Sequence, residues 1–218
     1  NLNNSWNLFE NDMYWLKETM KKIVSLNSVN WIIKSHPSED IYNAKIKTKL
    51  LYEKYCKDKK NIKLFPKNLK LQNENKIYNC AITSHGSAGF EFPGIGIPTI
   101  ICGDTPYSSL GFNVEPKSKK EYFELLRNIK KIKKNSKLEI QKCRFFNFMY
   151  HQLCTIKNPI MHEADITMNY DRNKIWNNLL KNLNNYEKFN TNYVDSVKNL
   201  IISNSNVLIN LKNKSSLK

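Results

Sequence analysis

Four short runs rich in β-branched and apolar residues, VNWIIK (29–34), NIKLFP (61–66), CAIT (80–83) and PTIIC (98–102), recur along the chain. Helical patterns separate or follow them. Residues 12–26 place Met13, Leu16, Met20, Ile23 and Val24 on one helical face, and Ile41, Ala44, Thr48, Leu51 and Tyr55 mark another behind a Ser38 N-cap with Glu39 and Asp40 in its first turn. A polar connector or short helix is expected at 71–78. Residues 119–133 carry Tyr122, Leu125, Leu126, Ile129 and Ile132 on one face, and 136–154 also read as helical. Strands that alternate with helices of this length predict right-handed βαβ units. The expected fold class is therefore α/β: a Rossmann-like, mostly parallel sheet covered on both faces. Beyond Pro159 the composition shifts to Asn, Lys and Tyr with weaker periodicity, so we expect a nucleotide-binding domain over 1–157 and a helical tail over 158–218.

In open α/β sheets ligands bind outside the carboxyl ends of the strands. Two polar loops leave strands there, Lys34-Ser35-His36-Pro37 and Ser84-His85-Gly86-Ser87, each carrying a His and hydroxyls. The second opens TSHGSAGFEFPGIGIPTIICG (83–103), which holds five of the six glycines of the chain. Gly86 and Gly89 are expected to let a ligand approach the main chain, and a helix starting near Ala88 to point free N–H groups at it. Ser84 and Ser87 add hydroxyls and His85 a further donor, a set suited to phosphate. The loop is neither a GxGxxG fingerprint nor a P-loop. Glu91, one helical turn past Ser87, is placed to accept from a ribose. Gly94 and Gly96 are expected to end the helix and turn the chain into the next strand. Asp104, at the exit of the fourth strand, binds a sugar hydroxyl or caps a turn, and the two readings stand level. Tyr107 and Phe112 either wall a base or sugar ring or pack in the core. His151 and His162 are expected to be structural. No HExxH or similar spacing occurs, so no metal site and no cofactor are predicted.

The five cysteines are too far apart for a zinc knuckle or a CxxC pair and are expected to be reduced and mostly buried. No apolar run nears the roughly 18 residues of a membrane span, and the opening NLNNSWNLF lacks a signal-peptide layout. A soluble, cytoplasmic protein is expected. The chain opens on Asn rather than Met, and an upstream portion is expected to exist. Thirty-five basic against 19 acidic residues give a net charge of +16. Residues 43–70 carry ten Lys against Glu53 and Asp58, and 117–142 carry ten basic against three acidic residues. Such a field favours a polyanion, or else reflects helices that wear solvated Lys. One outcome is peripheral contact with an anionic membrane at the inner face. A basic nucleic-acid-binding module is the rival reading, but the aromatics do not interleave with the basic runs and no RRM, KH or zinc-finger signature is present, so no specific nucleic acid is expected as partner.

The residues WIIKSHP and TSHGSAGFEFPGIGIPTIICGDTPYSSLGF, within about 29–112, resemble the carboxy-terminal half of GT-B glycosyltransferases of the bacterial capsule polysaccharide synthesis family. Related patterns occur in HP-motif sialyltransferases, CDP-glycerol transferases and, more loosely, UDP-N-acetylglucosamine 2-epimerases. The resemblance implies a nucleotide-sugar donor, such as a CMP- or UDP-sugar, and a polysaccharide or lipid-linked acceptor. It assigns donor-phosphate contact to His36 and to Ser84 with Ser87, and a catalytic role to His36. It departs from the pattern in that His85 and Gly86 split the hydroxyls. The amino-terminal half that in the family usually supplies the base is absent. A 2-epimerase-like activity or a CDP-polyol phosphotransferase is the alternative within enzymes.

Overall fold

A computed structural model describes residues 7–36, 39, 46–66, 77–153, 173, 176–178, 180–181 and 202. The chain separates into two compact units, Asn1–Phe146 and Asn147–Lys218. Helix α1 spans Asp12–Ile23. Its start is fixed by Asn11, whose Oδ1 accepts from the Tyr14 N–H at 2.8 Å, and Asp12 sits in the favourable first turn. Met20 and Ile23 are buried along its inner face.

Strand β1 (Trp31–Ile33) pairs in parallel with β2 (Ile62–Leu64), joined through helix α2 (Thr48–Tyr55). The expected Ser38 cap and the residues 40–45 lie outside the described residues, as does Pro37. What caps α2 is Glu39, whose carboxylate accepts from both the N–H and the hydroxyl of Thr48. Strand β3 (Ala81–Thr83) pairs in parallel with β4 (Thr99–Ile101). Between them run a single helical turn, α3 (Ala88–Glu91), and a 3₁₀ turn, Pro93–Ile95, that ends on Gly96 at φ 87°, the left-handed conformation expected of a glycine there. Val114 adds a rung on the far side of β4: Val114 N–H donates to Thr99 O (2.9 Å) and Ile101 N–H to Val114 O (3.1 Å).

The class is mixed α/β with parallel strands. Among the described residues the strands form two small sheets, β1–β2 and β3–β4, rather than the single sheet expected. Each strand is three residues long, and Ile32 on β1 is 46% exposed, so β1 is not covered on both faces by described residues. β4 is the strand buried on both sides. Ile100 faces a core with Met20, Trp31, Ile62, Tyr122 and Leu126, which both strand pairs share. Its neighbour Ile101 faces a second core with Phe90, Tyr107, Phe112 and Cys143. This is the period-two alternation of a strand, with apolar residues on both faces because both are covered.

Helix α4 (Lys119–Arg127) opens on Ser118, whose Oγ accepts from Glu121 N–H, while Glu121 returns a bond to Lys117 N–H at 2.7 Å. It ends earlier than the periodicity suggests and passes into a 3₁₀ turn, Ile129–Lys131. Tyr122 is fully buried, and its hydroxyl meets Trp15 Nε1–H (3.1 Å) and Thr19 Oγ1 (2.7 Å), pinning α1 to α4. Helix α5 (Lys137–Phe148) continues into a π-helical turn, Met149–Leu153. Of the expected tail, residues 173, 176–178, 180–181 and 202 are described and helical. His162 and Cys154 lie outside the described residues. Cys56, Cys102 and Cys143 are buried free thiols, and burial pushes them up to about 11, 12 and 11. Among the described residues no helix is long and apolar enough to cross a membrane.

Candidate functional site

The loops after β1 and β3 both leave the carboxyl ends of their strands, and a residue absent from the sequence reading meets the second of them. Asp12, in the first turn of α1, accepts from His85 Nδ1–H at 2.9 Å. Its carboxyl is held below the usual carboxylate range by that bond first, then, against the cost of partial burial, by a hydrogen bond from Ser84 and by the charges of His85 and His36.

His85 is saturated. Its Nδ1 lies 2.9 Å from Asp12 Oδ1 and 2.7 Å from Ser84 Oγ, and its Nε2 lies 2.9 Å from Asn7 Oδ1, which also accepts weakly from the Asp104 N–H at 3.4 Å. Two acceptors, one at each end of the ring, favour the doubly protonated imidazolium. The His85 value is accordingly raised, chiefly by the Asp12 hydrogen bond, partly offset by desolvation, with the charges of Asp12 and Asp104 adding to it. Ser84, His85 and Asp12 look like a nucleophilic triad by composition, but the geometry excludes the relay. Hydroxyl and carboxylate share Nδ1, whereas a relay needs them on opposite nitrogens, and an imidazolium has no lone pair to accept the proton.

The glycines also take a different role from the one expected. A Cβ on Gly89 would lie 2.4 Å from the Tyr107 ring, and one on Gly86 would lie 2.8 Å from Thr83 Oγ1. One on Gly103 would lie 2.1 Å from His85 Nε2. The space that a Cβ would need at Gly86 and Gly89 is thus taken by this chain's own side chains. Several N–H groups of this segment are committed as well. Gly86 donates to Thr83 Oγ1 (3.0 Å), Gly89 to Gly86 O (3.0 Å), and Phe90 and Glu91 to Ser87 O (both 2.9 Å). α3 has four residues, so its aligned dipole is small.

Tyr107 is 2% exposed in the second core and donates its hydroxyl to Gly86 O at 2.6 Å. It is a core residue that braces the loop, not the sugar wall considered from the sequence, and Phe112, equally buried, is the same. Ser84 is buried beneath His85. Besides His85, which is exposed with both ring nitrogens engaged, the residues at the surface of this edge are Lys34, His36, Ser87, Glu91 and Asp104, with Ala88 half-buried and Pro37 outside the described residues. Asn7 and Asp12 were missed by sequence reasoning. The Asn-Asp pair ahead of an amphipathic run marks a helix start, but nothing in it announces a partner 73 residues away.

Among the described residues no three His, Cys, Asp or Glu side chains group as a set of metal ligands. No family model, curated protein or solved structure matches the chain.

Proposed function

We propose that this chain is the donor-binding part of a glycosyltransferase that builds a surface polysaccharide from a nucleotide-sugar. One observation supports the reading: two His-bearing loops, 34–37 and 84–87, leave the carboxyl ends of the parallel strands β1 and β3, where a parallel α/β unit offers its ligand edge. The exposed groups sort by charge. The Lys34 ammonium, the His36 imidazole and the Ser87 hydroxyl suit donor phosphates, and Glu91 and Asp104 suit the hydroxyls of ribose and sugar.

In this reading His85 does not touch the phosphate, since both of its nitrogens are engaged. It holds a positive charge behind the site, while His36 stabilises the leaving nucleotide and protonates it. Asp12 is bound to His85 and held acidic, which makes it a poor base. The acceptor hydroxyl is then deprotonated by a carboxylate from an amino-terminal half. Positive charge elsewhere on the chain favours approach of an anionic donor or lipid-linked acceptor.

Isothermal titration with CMP, CDP and UDP tests the reading. One nucleotide should bind, and His36→Ala and Ser87→Ala should each weaken it by about tenfold or more, the loss of a charge-assisted hydrogen bond. Binding of none of the three, or binding indifferent to both substitutions, would overturn it. Reconstitution with an amino-terminal half that moves a glycerol phosphate instead of a sugar would shift the activity to the polyol-transfer class.

A further inference from the structure

The donor edge leaves the 117–142 basic stretch unused, and the later part of that stretch lies among apolar side chains that the fold holds at the surface. Residues 127–146 carry eight Lys and Arg against one acid, Glu139, and all eight cations are exposed. The acid is spent within the fold. The Glu139 carboxylate accepts from Ser136 N–H at 2.6 Å and closes the start of α5.

Helix α5 docks through Cys143, which is buried and donates its Sγ–H to Phe90 O at 2.8 Å, and through Arg144, whose Nε–H donates to Gly94 O at 2.8 Å. At 3.6 residues per turn the side opposite Cys143 carries Leu138, Gln141 and Phe145. Leu138 is 61% and Phe145 64% exposed, and Lys137 and Lys142 flank them on the helix. The turns packed beside α5 repeat the pattern. Ile95, next to Gly94 in the 3₁₀ turn, is exposed, and so is Leu110, whose neighbour Gly111 would place a Cβ 3.8 Å from Lys142 Nζ. Leu110 stands between two left-handed residues, Ser109 at φ 63° and Gly111 at φ 79°. A non-glycine in that conformation persists where its surroundings hold it, and here Ser109 N–H donates to Glu115 Oε1 at 2.7 Å. Glu115 also meets Lys117 Nζ at 3.5 Å, so this acid too is engaged.

Four apolar side chains, Ile95, Leu110, Leu138 and Phe145, thus gather on and beside one helix within a field of cations. The charge selects an anionic partner and opposes a second copy, whose like face would be repelled. The apolar groups narrow the choice. A single-stranded nucleic acid needs flat rings to stack on, and three of the four are aliphatic. An anionic bilayer satisfies both features, with cations at the headgroups and aliphatic side chains at the edge of the acyl region. We propose that the face around α5 docks on an anionic lipid bilayer, with Leu138 and Phe145 below the headgroups and Lys133, Lys134, Lys137 and Lys142 level with them. This docking does not rest on the proposed donor edge.

The test is co-sedimentation of the full chain with vesicles of phosphatidylcholine alone and of phosphatidylcholine with about one-third phosphatidylglycerol. Binding to the second alone, falling steeply with added salt, is expected. The surface double variant Leu138→Gln, Phe145→Gln should weaken it by about tenfold or more, through loss of apolar burial. So should the triple change Lys133→Ala, Lys137→Ala, Lys142→Ala, since each cation near such a surface is worth about fivefold. The same loss of charge in the other basic stretch, Lys54→Ala, Lys57→Ala, Lys60→Ala, should leave binding within about threefold. A His36→Ala, Ser87→Ala double variant should leave it unchanged, which tells failure here from failure at the donor edge. The inference is overturned if neutral vesicles bind as well as anionic ones, or if Leu138→Gln, Phe145→Gln keeps full affinity in a chain with native circular dichroism. It is equally overturned if the change at 54, 57 and 60 costs as much as the one at α5, because net charge alone would then be the cause. Retention of single-stranded RNA without binding to anionic vesicles would overturn it as well, and would assign the face to nucleic acid.

Discussion

The two ends of the β3–β4 pair are built from similar materials and differ in how those materials are used. At the carboxyl end, Asn7, Asp12, Ser84, His85, Gly86 and Gly103 satisfy one another, through bonds of 2.7 to 3.0 Å and close packing. At the amino end, Asn113 and Asn135 keep buried polar atoms without a partner among the described residues beneath three exposed lysines. A cluster of polar residues marks where hydrogen bonds converge; it does not say whether they are already spent. At the carboxyl end the groups free to meet a ligand are therefore those around the network, not those within it.

The largest effect expected concerns the packing of the carboxyl end. Gly89→Ala puts a methyl 2.4 Å from the ring and hydroxyl of Tyr107, which is itself locked between Phe90, Phe112 and Phe146. Overpacking of this kind should cost about 3 kcal/mol in urea unfolding. Gly103→Ala makes a closer contact, 2.1 Å from His85 Nε2, yet should cost less, because the imidazole is partly exposed and can swing away from Asn7. If Gly89→Ala were neutral, the loop would have room for a ligand after all, and the contrast between the two ends would fail.

Next comes the network that holds α1, and with it Asp12, in place. Tyr122→Phe removes the partner of the Trp15 Nε1–H in a fully buried position. The orphaned donor should cost about 2 kcal/mol. The same change should loosen the Asp12–His85 contact, visible as a lower His85 titration midpoint by NMR. An unchanged midpoint would show that Asp12 is held by its own loop contacts alone.

Asn113→Leu sharpens the contrast from the other side. Where a buried amide has no partner, replacing it with an apolar side chain of similar size should be neutral or stabilising by about 1 kcal/mol. A loss of 2 kcal/mol or more would instead mean that Asn113 already has a structural partner.

Much of the fold was legible because it rests on local chemistry. The four β-branched runs became strands within a residue or two, and Asn11 and Ser118 started helices as side-chain caps do. The pairing of the strands in two small sheets, where one sheet was expected, was not legible, since ladder partners are set by packing far along the chain. At the candidate site the two His loops were found by their place after strands, and the geometry ties the second of them to Asp12. Gly89, Gly103 and Tyr107 misled or went unnoticed for a common reason: a missing Cβ or an aromatic ring looks the same in sequence whether a ligand or the protein itself fills the space. Asn113 carried no signal at all in a chain so rich in asparagine.

The smallest effect is electrostatic, and its pH window follows from the two shifts. His85 is raised above its ordinary value of 6.5, so its contribution is complete below that value and fades as pH rises through the folded value. Asp12 is lowered from 3.8, so its contribution is complete above 3.8 and fades as pH falls through the folded value. The pair should therefore stabilise most between about pH 4 and 6.5. With Asp12 69% and His85 34% exposed, solvent screening limits the gain to about 1 kcal/mol at most. Urea midpoints of the native chain and of Asp12→Asn should differ most near pH 5 and converge toward pH 9. A gap that persists at pH 9 would mean that Asp12 serves mainly as a helix-start acid for α1, and the carboxyl end would then be held together by packing rather than by charge.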